Sequence, residues 1–216
     1  MSFVSNREGK ALSLNEAGKA PHSAVRPEYV VGLAASAGGL AALSHVLSSL
    51  PADFAAPLLV VQHLDPRHRS WLAEILDRRV ALAVTQVRGG EKIAAGTVYV
   101  APPDHHLLLR QSGALDLSDL ARVQHVRPSA DLLFTSLAES WGAGAIAVVL
   151  SGTGRDGAAG VLAIKQQGGT VIAQDEASAE FFGMPDAAFR TGVVDQVLTL
   201  DDIAPALVRL TAGGIP

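Results

Sequence analysis

The chain has 216 residues, 49% of them apolar and 18% charged, with a net charge of −4. That length supports one substantial domain with its own core, and the acidic balance argues against a nucleic-acid binder, which presents a basic face. The absence of cysteine excludes a disulfide framework and a thiolate zinc site; no apolar run approaches the ~18 residues of a membrane span, so membrane insertion is not expected.

Residues 1–27 are polar and small and lack the apolar centre of a signal peptide. They are expected to form a flexible tail on a cytoplasmic protein, with a single domain over 28–216. Within it, "YVVGLA" (29–34) reads as a buried strand. "GGLAALSHVLSSL" (38–50) has helical spacing and stops before Pro51. A strand over "PLLVVQ" (57–62), a helix over "SWLAEILDRRV" (70–80) and a strand over "ALAVTQV" (81–87) follow. "GTVYVAPPDHHLLLR" (96–110) reads as two short strands around a Pro-Pro-Asp turn, a hairpin. "RPSADLLFTSLAESWG" (127–142) reads as a helix with Ser129 as its cap, followed by a buried strand over "AIAVVL" (145–150). A helix over 158–169, a strand over "TVIAQ" (170–174) and a helix over "LDDIAPALVRL" (200–210) complete the chain. Continuous apolar strands alternating with amphipathic helices predict an α/β fold: one doubly wound, mostly parallel sheet with helices on both faces and a short β-hairpin.

In such sheets ligands bind beyond the carboxyl ends of the strands. Three residues pass that filter. Ser36 lies two residues beyond the first strand, in "VVGLAASAGGL". It reads as a helix cap, a phosphate ligand or a nucleophile; Gly38 and Gly39 permit a tight turn, and the helix start offers unpaired N–H groups. His63 follows the second strand in "VVQHLDP", and Asp156 lies in "VVLSGTGRDGAAG". Taken singly, these are a hydrogen-bonded histidine and a helix cap. Taken with Ser36, they have the composition of a hydroxyl nucleophile, its general base and the carboxylate that orients the base. The order Ser, His, Asp and the missing G-x-S-x-G elbow separate the chain from the α/β-hydrolases. Neither "GLAASAGG" nor "SGTGRDG" matches a dinucleotide or Walker A loop. The seven histidines, His105, His106 and His125 among them, show no metal-ligand spacing, and no metal or cofactor is expected.

These residues bring the chain to a known family. It resembles the catalytic domain of the chemotaxis protein-glutamate methylesterases over residues 28–212. The resemblance is carried by "GLAASAGGL", "VVQHLDPRHRSWLAEIL", "GTVYVAPPDHHLLL", "HVRPSADLLFTSLAESWG" with "VVLSGTGRDGAAG", and "AQDEASAEFFGMP". It implies a hydrolase that removes methyl esters from glutamates of chemoreceptor-like proteins and deamidates receptor glutamines. The family's nucleophile falls on Ser36, its base on His63 and its aspartate on Asp156. Methylated cytoplasmic receptor helices are the implied partner, with a cognate methyltransferase beside them. An oxyanion and substrate region is expected around Ala37, Thr153 and Gly154, and Arg127 is read either as part of a helix entry or as a residue near the substrate carboxyl. Phe181, Phe182 and Met184 are read either as lining the substrate path or as core. Arg67, His68 and Arg69 are read either as a basic rim facing an acidic receptor helix or as a solvated helix start.

Two departures stand out. Family members in chemotaxis operons read Ser-Thr-Gly-Gly at the nucleophile, and this chain has Ser36-Ala37-Gly38-Gly39. That form is similar to the variant found where the domain is fused to a receptor methyltransferase. The full chemotaxis enzymes also carry an N-terminal receiver domain of roughly a hundred residues, whereas about 28 polar residues precede the first strand here. The expectation is a domain without phosphorylation control in cis. The competing reading is a non-catalytic, adaptor-like relative that binds a receptor-like coiled coil.

Overall fold

The computed structural model describes residues 26–64, 67 and 70–213. Apart from Arg26 and Pro27, the expected tail lies outside the described residues. Those two already make contacts: the Arg26 guanidinium stacks 4.0 Å over the Trp141 ring, and Trp141 Nε1 donates to the Pro27 carbonyl at 2.9 Å.

Seven parallel strands form one sheet in the order β3-β4-β2-β1-β7-β8-β9. The centre is β1 (Val30–Ala35), flanked by β2 (Leu58–Gln62) and β7 (Ala145–Val149). Outside β2 lie β4 (Thr97–Val100) and β3 (Ala83–Gln86). Outside β7 lie β8 (Thr170–Gln174) and β9 (Gln196–Leu198). The three central strands are buried at every position, because both faces of the sheet are covered and each apolar run has no wet side.

Alternation along β1 divides the core into two layers. Val31, Leu33 and Ala35 pack with α1 (Gly39–Ser48), α2 (Leu72–Asp77) and α6 (Leu200–Thr211). Val30 and Ala34 pack on the opposite face, with α3 (Ala130–Trp141), α4 (Ala158–Gln166) and α5 (Gly183–Phe189). Gly32 faces α3, where a Cβ would stand 3.0 Å from the Phe134 ring. The missing side chain lets α3 lie close to the sheet. Gly160 does the same between α3 and α4, since a Cβ there would come within 2.7 Å of Phe134 Cβ.

The hairpin exists in a different place from the one expected. The segment 96–110 does hold two strands, but β4 joins the parallel sheet. The other, β5 (His106–Leu109), pairs antiparallel with β6 (Leu115–Ser118). The turn around Pro102, Pro103 and Asp104 carries the chain out of the sheet instead of folding β5 back on β4. Asp104 is held there by Arg127, whose guanidinium sits 2.9 Å from its carboxylate. The expected loop over "EASAEFFGMP" contains the start of α5. Pro185 is tolerated there because it lies in the first turn, where its missing N–H has no helical partner.

Candidate active site

The strand order places β1 at the switch point: the chain moves from β1 to β2 on one side and reaches β7 on the other. The ladders run on past the strand ends. His63 N–H donates to the Ala35 carbonyl at 3.0 Å, and Ser36 N–H donates to the Ser151 carbonyl at 3.0 Å. Ser36 is therefore flanked by His63 from β2 and by the Ser151–Gly152 turn from β7. A Cβ on Gly152 would stand 2.8 Å from Ser36 Cβ.

Ser36 is not the cap of α1. The helix starts at Gly39 with Gly38 as its N-cap at φ 74°, and no side chain caps it. The left-handed backbone at Gly38 turns the chain sharply between Ser36 and the helix. A Cβ there would meet Ser151 Oγ at 2.7 Å and the Glu180 carboxylate at 2.8 Å. Ser36 stays half-buried, and its carbonyl accepts Gly39 N–H at 2.9 Å and Gln62 Nε2 at 2.7 Å.

Asp156 arrives from the far side of β1 and accepts from His63 Nε2 at 2.8 Å. The side chains are 3% and 11% exposed, so the contact is nearly dry. Asp156 caps the neighbouring helix and not its own. Its carboxylate accepts from Ser129 Oγ at 2.7 Å, Ala130 N–H at 2.6 Å and Asp131 N–H at 3.1 Å, all at the start of α3. Asp131 in turn accepts from Gly157 and Gly160 N–H at 2.9 and 2.8 Å, at the start of α4. The two helices exchange caps, which fixes their N-termini side by side and places negative charge at both positive dipole ends. Ser129 is the N-cap of α3 by position, yet its hydroxyl serves Asp156 and not the helix.

The two carboxyls part in their titration. Burial pushes Asp156 up, but the hydrogen bonds from His63, Ser129 and Ala130 outweigh it and hold the group below the ordinary carboxylate range. Burial raises Asp131, and the Asp156 charge adds to that, against the N–H bonds from Gly160 and Gly157. Asp156 is thus the more acidic of the two.

Behind Ser129 stands His106, fully buried at the start of β5. Its Nδ1 accepts Ser129 N–H at 3.1 Å and its Nε2 donates to the Ala121 carbonyl at 3.2 Å. Burial holds it below the ordinary histidine value. His106 is a neutral strut under the Asp156 site. Among the described residues no group of histidine and carboxylate side chains could hold a metal ion.

The remaining expected residues are distributed as follows. The loop of Thr153 and Gly154 is exposed beside Ser36. It is anchored by Gly152 N–H to the Phe181 carbonyl at 2.9 Å and by Met184 N–H to the Gly152 carbonyl at 2.8 Å. Ala37 is half-buried at the approach to α1, and its carbonyl accepts Ser151 Oγ at 2.9 Å. Met184 is 1% exposed and packs its sulfur under Gly152, so it belongs to the core under the loop. Phe181 is 41% exposed at the rim. The Arg127 guanidinium is bonded to Asp104 and to the carbonyls of Asp119 and Leu120, at 3.0 and 3.1 Å for the latter two. It clamps three turns together. Of the basic rim, His68 and Arg69 lie outside the described residues. Sequence reasoning missed Gln62, Ser129 as a partner of Asp156, Asp131, and Gln124, which bridges Asp131 and Arg155 at 2.9 and 3.2 Å. A polar residue closing the apolar run "LLVVQ" was the available signal for Gln62.

Residues 31–207 match the family described as CheB methylesterase. A protein-glutamate methylesterase/protein-glutamine glutaminase 2 of Cupriavidus metallidurans is 42% identical over 210 residues, covering 94% of this chain and 62% of that protein. One of the same description from Anaeromyxobacter dehalogenans is 46% identical over 192 residues, covering 89% and 56%. The protein-glutamate methylesterase FrzG of Myxococcus xanthus is 42% identical over 183 residues, covering 85% and 55%. The chain therefore spans a little over half the length of these curated relatives. The crystal structure of the Thermotoga maritima CheB methylesterase catalytic domain superposes with a TM-score of 0.81 at 37% identity, covering 84% of this chain and 98% of that one. With the family model matched over residues 31–207 and the fold shared with that catalytic domain, the chain belongs to the CheB methylesterase family.

Proposed function

We propose that the protein is a serine hydrolase that removes methyl esters from glutamate side chains of chemoreceptor-like proteins and deamidates receptor glutamines. The observation that carries the reading is the His63–Asp156 bond at 2.8 Å, spanning the end of the strand that delivers Ser36. The activities of the relatives, glutamate methylesterase and glutamine glutaminase, supply the substrate class and favour catalysis over the adaptor reading.

In the proposed cycle His63 donates Nε2–H to Asp156, which leaves the Nδ1 lone pair to take the Ser36 proton. Ser36 Oγ attacks the ester carbonyl, and the negative charge of the tetrahedral species is met by backbone N–H groups at Ala37 and at Thr153–Gly154. Collapse expels methoxide, which takes the proton from His63 and leaves as methanol. Water, deprotonated by His63, then splits the acyl-serine, and glutamate departs as Ser36 regains its proton. With a glutamine substrate ammonia leaves in place of methanol. Asp156 remains ionised throughout and stabilises the imidazolium. No cofactor enters the scheme.

Methylated receptor helices are the proposed partner and the cytoplasm the proposed compartment. No helix among the described residues is long and apolar enough to cross a membrane. The test is methanol release from receptor fragments methylated on glutamate, followed by mass spectrometry of the fragments. Wild type should convert methyl-glutamate to glutamate and Ser36→Ala should not; equal conversion by both would reject the proposal.

A further inference from the structure

Gln62 ends β2, after Leu58-Leu59-Val60-Val61. It is 6% exposed, a polar side chain turned inward at the edge of the site. Its Nε2 donates to the Ser36 carbonyl at 2.7 Å and to the His63 carbonyl at 3.1 Å. One amide thus ties the main chain of the serine to the main chain of the histidine. Chemistry fixes its orientation, because the opposite one would set Oε1 against two carbonyl oxygens. As placed, Oε1 is buried with no donor among the described residues, at a cost of about 1–3 kcal/mol. It lies against Gly39, where a Cβ would collide with it. Gly39 is therefore required for the space that Gln62 occupies, and not for a left-handed backbone.

A buried orphan acceptor is tolerated where the other end of the group does something that apolar packing cannot. Here the other end loads the Ser36 carbonyl, which also accepts Gly39 N–H at 2.9 Å. That oxygen shares one conjugated peptide unit with the N–H of Ala37. Two donors on the oxygen pull electron density through the unit and strengthen the N–H as a donor. We infer that Gln62 is a positioning residue: it holds the Ser36 and His63 backbones in register and polarises the Ser36–Ala37 peptide, so that Ala37 N–H binds the oxyanion more strongly. The inference rests on the reading of Ser36 as nucleophile, and not on which ester it attacks.

The test compares wild type, Gln62→Met and Gln62→Glu in the full chain. It measures the rate of Ser36 labelling by a fluorophosphonate and kcat and KM for a glutamate methyl ester, from pH 5 to 8, beside Tm. Gln62→Met keeps the length and removes the donors. It should slow labelling and kcat about tenfold or more, by analogy with the loss of an oxyanion donor, with KM within about twofold. Gln62→Glu offers a donor only when protonated, and burial raises its pKa. Its rate relative to wild type should therefore rise as pH falls from 8 to 5. A purely structural role would lower Tm and leave that ratio flat. Labelling of Gln62→Met within twofold of wild type would overturn the inference; should that variant fail to fold, a flat Gln62→Glu ratio would overturn it alone. A wild type that labels but hydrolyses no methyl ester removes the substrate assignment and not this inference, whereas a wild type that does not label removes both.

Discussion

The two sides of the site are built in opposite ways. On the α3–α4 side, Asp156 is almost sealed from solvent and has a donor for each lone pair that matters: His63, Ser129 and two helix N–H groups. Its neighbours Asp131 and His106 are equally enclosed and bonded. On the other side Thr153 and Gly154 are exposed, and Leu40, Leu64 and Phe181 present apolar surface at 39%, 38% and 41%. The enclosed side fixes a tautomer and a charge, which requires dry, saturated hydrogen bonding. Under the proposed function the open side admits a glutamate side chain carried on another protein, which requires unspent N–H groups and unburied surface. Ser36 stands at the seam. Stability and substrate access are divided even within the single connection between β7 and α4, whose exposed Thr153 and Gly154 precede the buried Asp156, so substitutions should separate the two.

The largest effect is expected at the seam itself. Ser36→Ala should lower kcat by at least about a thousandfold, as loss of a nucleophile does, while costing no more than about 1 kcal/mol in stability, since its hydroxyl caps nothing. Urea unfolding and ester hydrolysis on the same sample check both halves of this statement. Asp156→Asn should damage both properties at once. The amide cannot accept from all four donors, so we expect about 2–4 kcal/mol of destabilisation and a kcat loss of roughly a hundredfold or more. An Asp156→Asn protein as stable as wild type would break the contrast between the sides.

Acid should attack the enclosed side first. His106 titrates below its ordinary value in the folded chain, so on acidification the unfolded chain binds the proton first. Stability should therefore decline as pH drops below about 6.5 and level off below the folded pKa. Asp156 adds a second loss: its lowered pKa contributes stability that is complete above about 4 and disappears as pH falls through the folded value. Asp131 has the opposite sign, losing stability as pH rises through its raised value. His106→Gln can keep both hydrogen bonds without a titrating group. Chemical denaturation from pH 4 to 8 should show the first decline in wild type and not in this variant.

The smallest effects sharpen the comparison. Thr153→Ala, on the open side, keeps its backbone N–H and should change stability by less than about 0.5 kcal/mol and kcat by less than about threefold. Gly157→Ala, on the enclosed side, forces a side chain into φ 102° with its Cβ 3.4 Å from the Phe134 ring, and should cost about 1–2 kcal/mol. Equal stability losses for the pair would contradict the division.

The sequence announces these features unequally. The central strands are legible because "VVGLAA", "LLVVQ" and "AIAVV" are apolar without interruption, and the strand-end rule then isolates Ser36, His63 and Asp156. The β4–β5 relation is not legible. The turn residues Pro102, Pro103 and Asp104 mark a reversal equally well whether the next strand pairs or departs, and the deciding bond comes from Arg127, distant in sequence. β9 is three residues long, too short for a periodicity. The cap exchange is hidden for a further reason. Asp156 and Asp131 each stand where a local cap would be read, and only the packing of α3 on α4 makes each serve the other's helix.

In the proposed mechanism Ser36 is a nucleophile made reactive by His63, with His63 oriented by Asp156. The most direct measurement is to trap it: wild type and His63→Gln are treated with a fluorophosphonate and the adduct is located by peptide mapping, with rates from intact mass. One adduct is expected, on Ser36, with labelling at least about a hundredfold slower in His63→Gln, as when a general base is removed. An adduct on any other residue, or an equal rate in the two proteins, would contradict it.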